Sequence, residues 1–491
     1  MSRVFDSLRL SAVSLDIAAV NRGGARAVAA RQRRRLKRVV SAALRDSRLY
    51  RRLAADHAPG GLASDAALAA LPVTHRAQLM SEFDDWVTDP RLRRSELSAF
   101  MAEPANIAVP YDGRYIVWES SGTSGQPGLF VQDAECMAVY DALESLRRSA
   151  PRPLSRWMDP WYLAERMAFV GAIGGHFASI VSLQRLCALN PWMGGATRSF
   201  SVLEPTTRLV DALNAWNPTV LATYPTAAAL LADEAAAGRL RGRPREVWTG
   251  GETLSPGVRR HIEQQLGCNV RNSYGASEFL AMGWECAHGQ LHLNADWVIL
   301  EPVDERYQPV PPGVASARVL LTHLANTVQP LIRYDLGDQV ALSDQPCRCG
   351  SPLPVIQVRG RDDEPLVLRT RHGETVTLLP MALTTVLEEE AGVFDFQLVQ
   401  RDDHSLTLRL PLSGEAADAA FARCRSALEA FAASQGLRGL SIHEERAVAL
   451  ARGHSGKVCR VLGGPASGTA TPAGAGSGAR ARAEAPCTHA D

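Results

Sequence analysis

The chain has 491 residues, a formal net charge of +1, and 46% hydrophobic and 21% charged residues. This length predicts at least two domains, and the near-neutral charge gives no support for a nucleic-acid-binding protein. No apolar run approaches the roughly 18 residues that a membrane span needs, and charged residues interrupt the segment where a signal peptide would be apolar. Nine cysteines, an odd number, argue against a disulfide framework, so we expect a cytoplasmic protein.

The first hundred residues are predicted to be mainly helical, because they are rich in alanine and contain amphipathic stretches such as 26–56. They include a strongly basic run, RQRRRLKR, at 31–38. We interpret this run as a solvated helix face, and contact with a polyanion or a membrane surface is the alternative.

From about residue 200, strand and helix patterns alternate. Strands are predicted at 218–224, 245–251 and 268–275, and helices at 204–217, 225–240 and 255–267. In the last helix, Ser255 is the expected N-cap, Pro256 occupies the first turn and Gly267 ends the helix. Repeated strand–helix units predict an α/β fold with a parallel sheet and helices on both of its faces.

In such sheets, ligands bind beyond the carboxyl ends of the strands. Three predicted strand ends carry glycine, hydroxyl or carboxylate groups. They are Thr223-Tyr224-Pro225, Gly250-Gly251-Glu252 and Tyr274-Gly275-Ala276-Ser277-Glu278. We expect all three ends to line one rim of one sheet.

After about residue 360 the pattern changes to a predicted hairpin in DFQLVQ and SLTLRLPL, followed by a helix and a further strand. These elements predict a small α+β domain of about 100 residues. The expected division is a large domain at 1–360, a hinge at 361–363, a small domain at 364–462 and a tail at 463–491. The tail is rich in Gly, Ala, Pro and Ser and is predicted to be disordered.

The stretch ESSGTSGQPG at 119–128 follows the apolar YIVW. Small residues let the backbone approach a ligand closely, and successive N–H groups can form an anion-binding concavity. The hydroxyls of Thr123 and Ser124 add donors, which favours phosphate as the ligand. No GK[ST] follows, so the stretch is not a Walker A motif, and a Gly/Ser-rich loop without other signals is more often only a loop.

Other signals follow it in a fixed order. They are NSYGASE at 272–278, IRYDLGD at 332–338, GRDD at 360–363 and GHSGK at 453–457. Together with SSGTSGQPG, this set resembles the signature of the adenylate-forming acyl- and aryl-CoA synthetases, and it looks most like the phenylacetate–CoA ligase branch. Many other branches carry a lysine after the PG of the loop, whereas Leu129 stands there in this chain.

The resemblance implies a large domain with parallel sheets flanked by helices and a small, mobile α+β C-terminal domain. It also implies a reaction in which ATP activates a carboxylic acid as an acyl-adenylate, pyrophosphate leaves, and the acyl group passes to CoA. Bringing an anionic acid to an anionic triphosphate demands charge neutralisation and positioning. Mg²⁺ is the implied cation.

Site residues are carried over from the resemblance motif by motif. The loop residues Ser120, Ser121, Gly122, Thr123, Ser124 and Gly125 would hold the β- and γ-phosphates, and Thr123 is counted among the catalytic residues. Tyr274 would flank the adenine, with Gly250, Gly251 and Glu252 as its wall and Gly275, Ala276 and Ser277 completing the nucleotide site. Glu278 would bind Mg²⁺, Asp338 the ribose hydroxyls, and Arg361 would lie near the ribose.

Lys457 is the implied adenylation residue, because a compact ammonium can meet the carboxylate and the α-phosphate as charge develops. Without the other motifs, it would be interpreted as a solvated lysine in a glycine turn. Asp363 matches the family's hinge position, at which the small domain swings between the two half-reactions.

A second constellation consists of Cys286, His292, Cys347 and Cys349. Three thiolates and one imidazole can form a closed tetrahedral zinc site, which would be structural because no position stays open. Some members of the phenylacetate–CoA ligase branch carry metal ligands at matching places. His288 is the rival of His292, and unrelated cysteines are the alternative.

The glycine-broken stretch RMAFVGAIGGHFAS at 166–179 matches a part of the acyl pocket in the phenylacetate branch. His176 and Phe177 are therefore candidates for contact with an aromatic acid, and Tyr224 could close the same pocket. Core packing of Phe177 and a satisfied interior His176 are the alternatives.

Three other functions stay open. An adenylate-forming ligase could pass the acyl group to an amine, a carrier-protein thiol or another small nucleophile. The second open function is a zinc-stabilised nucleotide-binding protein without catalysis. The presence of both Lys457 and Glu278 argues against it, because such a protein would not need them. Nucleic-acid binding has only the basic run behind it. Many members of the family that the chain resembles are dimers, which is only a prior for a homodimer here, and the oligomeric state stays open.

Overall fold

A computed structural model of the chain describes residues 3–57, 68–69, 71–120, 127–147, 165–359, 363–450 and 458–463. Within these residues, five α-helices precede the first strand. They are α1 (Arg3–Asp46), α2 (Arg48–His57), α3 (Arg76–Ser81), α4 (Phe83–Trp86) and α5 (Arg94–Met101). The predicted helical character of this region is confirmed. Among the described residues, no helix combines the length and the apolarity needed to cross a membrane.

Helices α1 and α2 divide the predicted amphipathic stretch at Ser47. The side-chain hydroxyl of Ser47 accepts a hydrogen bond from the Tyr50 N–H at 3.3 Å. A serine that satisfies a free N–H group of the following turn favours the start of a new helix. A further kink in α1 lies at Gly24, whose φ of 68° is a conformation that glycine adopts readily.

The interpretation of the basic run as a solvated face is only partly correct. Arg33, Arg34 and Lys37 are exposed, but Arg35 is 5% exposed. The Arg35 guanidinium lies 3.2 Å from the centroid of the Trp297 ring and also pairs with Asp16 and Asp296. Asp296 is in turn bound by Arg147 at 2.6 Å. Part of the run therefore anchors α1 to the protein body.

Among the described residues before position 360, the chain forms fourteen strands. They are β1 (Ile116–Ser120), β2 (Gly128–Gln132), β3 (Met167–Gly171), β4 (Thr197–Ser201), β5 (Val220–Thr223), β6 (Glu246–Thr249), β7 (Asn269–Ala276), β8 (Phe279–Glu285), β9 (Leu291–Leu293), β10 (Val298–Val303), β11 (Arg318–His323), β12 (Tyr334–Asp335), β13 (Gln339–Leu342) and β14 (Val355–Arg359). The main sheet has nine strands in the order β13-β14-β9-β8-β7-β6-β5-β3-β4.

Half of the main sheet is parallel. Strands β4, β3, β5, β6 and β7 pair in parallel, which confirms the predicted α/β fold with its strand–helix units. From β7 onward, β8, β9, β14 and β13 pair antiparallel, an extension that the sequence patterns do not predict. Strands β1 and β2 form a separate antiparallel pair, and β10, β11 and β12 form a three-stranded sheet.

Six further α-helices lie between β2 and β7 in the described part of the chain. They are α6 (Ala134–Arg147), α7 (Ala178–Leu189), α8 (Pro191–Ala196), α9 (Thr206–Trp216), α10 (Pro225–Ala236) and α11 (Pro256–Leu266). The predicted caps of α11 are confirmed. The Ser255 hydroxyl accepts a hydrogen bond from the Val258 N–H, and Gly267 ends the helix with a φ of 64°. Leucine, valine and alanine side chains of α9, α10 and α11 bury one core against β3, β5, β6 and β7.

The C-terminal part has its own elements. They are β15 (Leu366–Arg369), β16 (Thr375–Leu378), α12 (Pro380–Glu389), β17 (Gln397–Asp402), β18 (Ser405–Leu410), α13 (Gly414–Ser434), β19 (Ser441–Arg446) and β20 (Val461–Leu462). The predicted hairpin is confirmed as the antiparallel pair β17–β18. The sheet order is β19-β18-β17-β20, and the tail predicted to be disordered lies, after Gly463, outside the described residues.

Candidate functional site

The stems of the candidate phosphate loop are strands β1 and β2. Ser120 pairs with Gly128 in this hairpin, and the Ser120 hydroxyl accepts a hydrogen bond from the Gly128 N–H at 3.1 Å. A side chain at Gly128 would place its Cβ 2.9 Å from that hydroxyl oxygen, so the base of the loop leaves room only for glycine. Seven predicted site residues lie outside the described part of the chain: Ser121, Gly122, Thr123, Ser124, Gly125, Arg361 and Lys457.

The stem of this loop contacts the YGASE segment directly. The indole Nε1 of Trp118 on β1 donates a hydrogen bond to the Ser277 carbonyl at 2.8 Å. Trp118 is fully buried, so the contact is a fixed part of the core. The structure therefore brings the two ends of the glycine loop and the residue next to Glu278 to the same place.

The residues that follow β5 and β6 are also in contact with each other. Glu252, just beyond β6, accepts hydrogen bonds from the backbone N–H and the hydroxyl of Thr226 at 3.0 and 3.1 Å, and so caps the start of α10. Gly251 adopts a φ of 80°, and a Cβ there would lie 3.3 Å from the Tyr224 ring. Burial raises the pKa of Glu252 to about 7, with Asp363 adding to the effect.

At the end of β7, the Tyr274 hydroxyl donates a hydrogen bond to Asp338 Oδ2 at 2.8 Å. Burial raises the pKa of Tyr274, and the neighbouring Asp338 carboxylate raises it further, so the phenol keeps its proton. Gly275 lies near the end of β7, where a Cβ would sit 2.0 Å from the Leu280 carbonyl oxygen of β8. Ala276 ends β7 and pairs with Phe279 across the turn.

Glu278 is 2% exposed, and its carboxylate is held by two side chains from distant segments. Oε1 accepts hydrogen bonds from the Tyr334 hydroxyl at 2.8 Å and from Arg76 Nη2 at 2.9 Å. Tyr334 belongs to the IRYDLGD motif, although no signal marks it as a partner of Glu278. Arg76 lies in a segment without any motif, so only the folded chain identifies it.

The candidate acid-binding residues lie in or next to the loop that follows β3. The Glu119 N–H donates to the His176 carbonyl at 2.8 Å, which ties this loop to β1. Phe177 is half-buried. Burial raises the pKa of the Tyr224 phenol to about 12, and its hydroxyl interacts with the Ala172 backbone and the Ser179 side chain. Tyr224 therefore borders the same loop as His176 and Phe177.

The imidazole of His176 is 2% exposed, and its ring meets the Phe100 ring edge-on at 6.3 Å. Neither ring nitrogen has a well-aligned hydrogen-bond partner among the described residues. Burial lowers the pKa of His176, so the ring is neutral near pH 7.

Asp363, the predicted hinge residue, is bonded to the segment that follows Lys457. Its Oδ1 accepts hydrogen bonds from the backbone N–H groups of Arg460 and Val461 at 2.6 and 3.1 Å. Arg460 is 1% exposed and pairs with Glu388 of α12. The start of β20, the strand that follows Lys457, is thus fixed to Asp363 and to helix α12.

Four predicted zinc ligands lie together on the antiparallel half of the main sheet. One ligand atom from each of Cys286, His292, Cys347 and Cys349 falls within 4.8 Å of all the others. The Cys286 and Cys347 sulfurs are 3.8 Å apart, and the Cys349 sulfur is 3.3 Å from His292 Nε2. Tetrahedral zinc with Zn–S bonds of about 2.3 Å requires sulfurs about 3.8 Å apart.

His292, and not its rival His288, belongs to this group. His292 Nδ1 bonds the Leu353 carbonyl at 2.9 Å, which assigns the proton to Nδ1 and leaves Nε2 as a ligand atom facing Cys349. The Trp284 ring stacks on the imidazole at 5.1 Å and keeps its orientation. His288 is exposed.

Comparisons with known proteins agree with this arrangement. The family model described as AMP-binding enzyme matches residues 40–316. A phenylacetate-coenzyme A ligase of Thermus thermophilus is 27% identical over 355 residues, which cover 69% of this chain and 71% of that protein. A phenylacetate-coenzyme A ligase of Pseudomonas putida is 26% identical over 274 residues, covering 53% and 58% respectively.

Among solved structures, a 2-hydroxyisobutyryl-CoA ligase in complex with 2-HIB-AMP and CoA is similar to this chain, with a TM-score of 0.55. The two chains are 20% identical, and the similarity covers 88% of each. At this identity the likeness concerns the fold, and it confirms the predicted architecture.

Proposed function

The chain belongs to the AMP-binding enzyme family, and from that premise we propose that it activates a carboxylic acid with ATP and transfers the acyl group from the acyl-adenylate to the thiol of CoA. Pyrophosphate leaves in the first step and AMP in the second. The observation that carries this proposal is the contact of Trp118 with Ser277, because it sets the stem of the glycine loop against Glu278.

Each part of the site has a task in the first step. Backbone N–H groups of the loop would bind the β- and γ-phosphates, and the Asp338 carboxylate would accept hydrogen bonds from the ribose. Tyr274 keeps Asp338 in position through the 2.8 Å hydrogen bond. Lys457 would stabilise the charge that develops between the acid and the α-phosphate.

The buried carboxylate of Glu278 fits a hard cation, because Mg²⁺ prefers carboxylate oxygen as a ligand. Arg76 and Tyr334 hold this carboxylate in a fixed position through their hydrogen bonds to Oε1. When bound, Mg²⁺ would neutralise phosphate charge and so help pyrophosphate to leave.

The acid is proposed to be aromatic. The half-buried side chains of Phe177 and Tyr224 border one loop, and flat apolar rings favour an aromatic guest by edge or face contacts. Phenylacetate-coenzyme A ligases among the relatives support the same substrate class.

The decisive test of this function is an acid panel with purified enzyme. We expect acid-dependent exchange of labelled pyrophosphate into ATP, and an acyl-CoA of the matching mass together with AMP when CoA is supplied. Lys457→Ala should abolish the exchange, because the charge at the α-phosphate is lost, while ATP still binds. Exchange that survives undiminished in this variant would contradict the role of Lys457.

The second candidate changes only the acceptor. If AMP is released with an amine or a carrier protein and not with CoA, the protein is an adenylate-forming ligase of another acceptor class. No exchange with any acid in a folded protein would favour a nucleotide-binding protein without catalysis.

For the cysteine–histidine cluster we propose a structural zinc ion held by Cys286, His292, Cys347 and Cys349. All four coordination positions are filled by the protein, so the ion would stabilise the strands and take no part in catalysis. It would link β9, the end of β8 and the loop between β13 and β14.

Metal analysis of two single variants tests this ion. Cys347→Ser should lower the zinc content to well below one ion per chain and lower the melting temperature, because a thiolate ligand is lost. Cys268→Ser, at a cysteine outside the cluster, is the matched control and should keep its zinc. Equal metal content in both variants removes Cys347 from the site.

A further inference from the structure

Arg76 does more than pair with Glu278. Its Nε donates a hydrogen bond to the Tyr334 hydroxyl oxygen at 3.2 Å, while its Nη2 and the Tyr334 hydroxyl both donate to Glu278 Oε1. The three side chains form a closed ring of hydrogen bonds in which Tyr334 and Glu278 are each 2% exposed. The guanidinium plane is therefore fixed, and so are the directions of its remaining N–H groups.

One of those groups is unused. Arg76 Nη1 is buried and has no hydrogen-bond partner among the described residues. A buried donor without a partner is costly, and such a group in a native structure often belongs to a site whose ligand is absent. A cationic donor of this kind fits an anionic oxygen acceptor.

Arg76 also lies between the two parts of the nucleotide site. It opens helix α3, and the sulfur of Met80 in the same helix accepts from the Leu129 N–H of β2 at 3.3 Å. On its other side, Thr74 pairs with Tyr334 in an isolated β-bridge. The guanidinium is thus placed where the carboxyl-side stem of the glycine loop meets the Glu278 carboxylate.

We propose that Arg76 binds the β- or γ-phosphate of ATP through Nη1 while it positions Glu278 through Nη2. This inference rests on the proposed function. The loop of this chain carries Leu129 where many other branches have a lysine after PG, so a cationic side chain from outside the loop can take that place beside Mg²⁺. Arg76 supplies that charge from the N-terminal helical segment, and its planar fork suits phosphate oxygens.

The test measures how much the β- and γ-phosphates contribute to nucleotide binding, separately from the rest of the nucleotide. Binding to the full chain is measured by titration calorimetry, without any acid, for AMP and for an ATP analogue with a methylene bridge between its α- and β-phosphates. Arg76→Met should weaken binding of the analogue by about 10- to 100-fold, the loss of a charge-assisted hydrogen bond. Binding of AMP, which lacks the β- and γ-phosphates, should change by less than about twofold.

Arg94→Met is the matched control, because Arg94 lies in the same helical region and donates to the Met80 carbonyl at 2.8 Å. This variant should bind both nucleotides as the parent does. If Arg76→Met does not fold, Arg76→Lys carries the test, because lysine keeps the charge but not the planar fork. It should lose at least about fivefold in affinity for the analogue and nothing for AMP.

Two results overturn the inference. Equal losses for AMP and the analogue would make Arg76 a structural partner of Glu278 only, and unchanged binding of both would remove it from the site. A parent protein that binds neither nucleotide would instead overturn the proposed function, and this inference with it.

Discussion

Each of three carboxylates in the candidate site accepts hydrogen bonds from specific donor groups of the protein. Glu252 accepts from Thr226, Asp338 from Tyr274, and Glu278 from Tyr334 and Arg76. Such pairing limits the cost of burying polar groups and fixes the direction of each oxygen before a ligand arrives. At the scale of single residues, the site is therefore preorganised.

The raised pKa of Glu252, about 7, predicts a measurable pH dependence of stability. Between its ordinary value and about 7, the folded protein holds a proton on this carboxyl that the unfolded chain has released, so stability falls as the pH rises through that window. As the pH rises from about 5 to about 8, the free energy of unfolding should therefore fall less in Glu252→Gln than in the parent. Urea unfolding at several pH values measures this, and parallel curves for the two proteins would contradict the assignment.

The turn between β7 and β8 decides where Tyr274 and Glu278 point. These strands pair antiparallel with a register shift between Tyr274 and Ala276, so the chain reverses directly around the motif. Such irregularities re-aim side chains next to functional sites. The element, more than any single residue, therefore sets the distance between Tyr274 and Glu278.

Gly275→Ala should disrupt this turn. Its Cβ would lie 2.0 Å from the backbone oxygen of Leu280, and backbone cannot move aside as a flexible side chain can. We expect a loss of unfolding free energy of about 2 kcal/mol or more and a loss of pyrophosphate exchange. Gly257→Ala, whose Cβ would come no closer than 3.9 Å to the Ser255 hydroxyl oxygen, is the control. Similar melting temperatures for the two variants would show that the turn tolerates a side chain.

Among the described residues, three hydrophobic clusters organise the molecule. The C-terminal elements bury their own cluster, which includes Leu383, Phe396 and Leu408, and this cluster extends to Val202 and Ala227 of the preceding part. Across the same contact, Gln435 Nε2 donates to the Leu203 carbonyl at 2.7 Å. A modest contact of this kind is compatible with the proposed hinge motion at 361–363.

Asp363→Ala tests how the hinge and Lys457 are coupled. Without this carboxylate, the backbone N–H groups of Arg460 and Val461 lose their acceptor and the segment after Lys457 loosens. We expect pyrophosphate exchange to fall by about tenfold, the effect of two lost hydrogen bonds, while ATP binding stays unchanged. Asp418→Ala, at an exposed residue of α13, should leave the exchange as it is. Equal exchange rates in both variants would separate Asp363 from the positioning of Lys457.

The sequence by itself determined the parallel strand–helix units, the caps of α11, the hairpin β17–β18 and the order of the five motifs. It did so because periodicity, capping and turn chemistry act over a few residues, and because motif residues keep their spacing. The sequence also indicated the three cysteines of the Cys/His group, since those residue types stand out, and it proposed His292 as their partner with His288 as the rival.

Only the tertiary structure decided which residues meet. It placed His292 and not His288 beside Cys349, turned Arg35 of the basic run onto Trp297, and brought Arg76 to Glu278 across 202 positions of the chain. Arginine in a helical, motif-free segment carries no local signal of its partner. The packing of separate helices and sheets determines the partner. A buried charge requires a counter-group, and that group comes from whichever segment the fold places beside it.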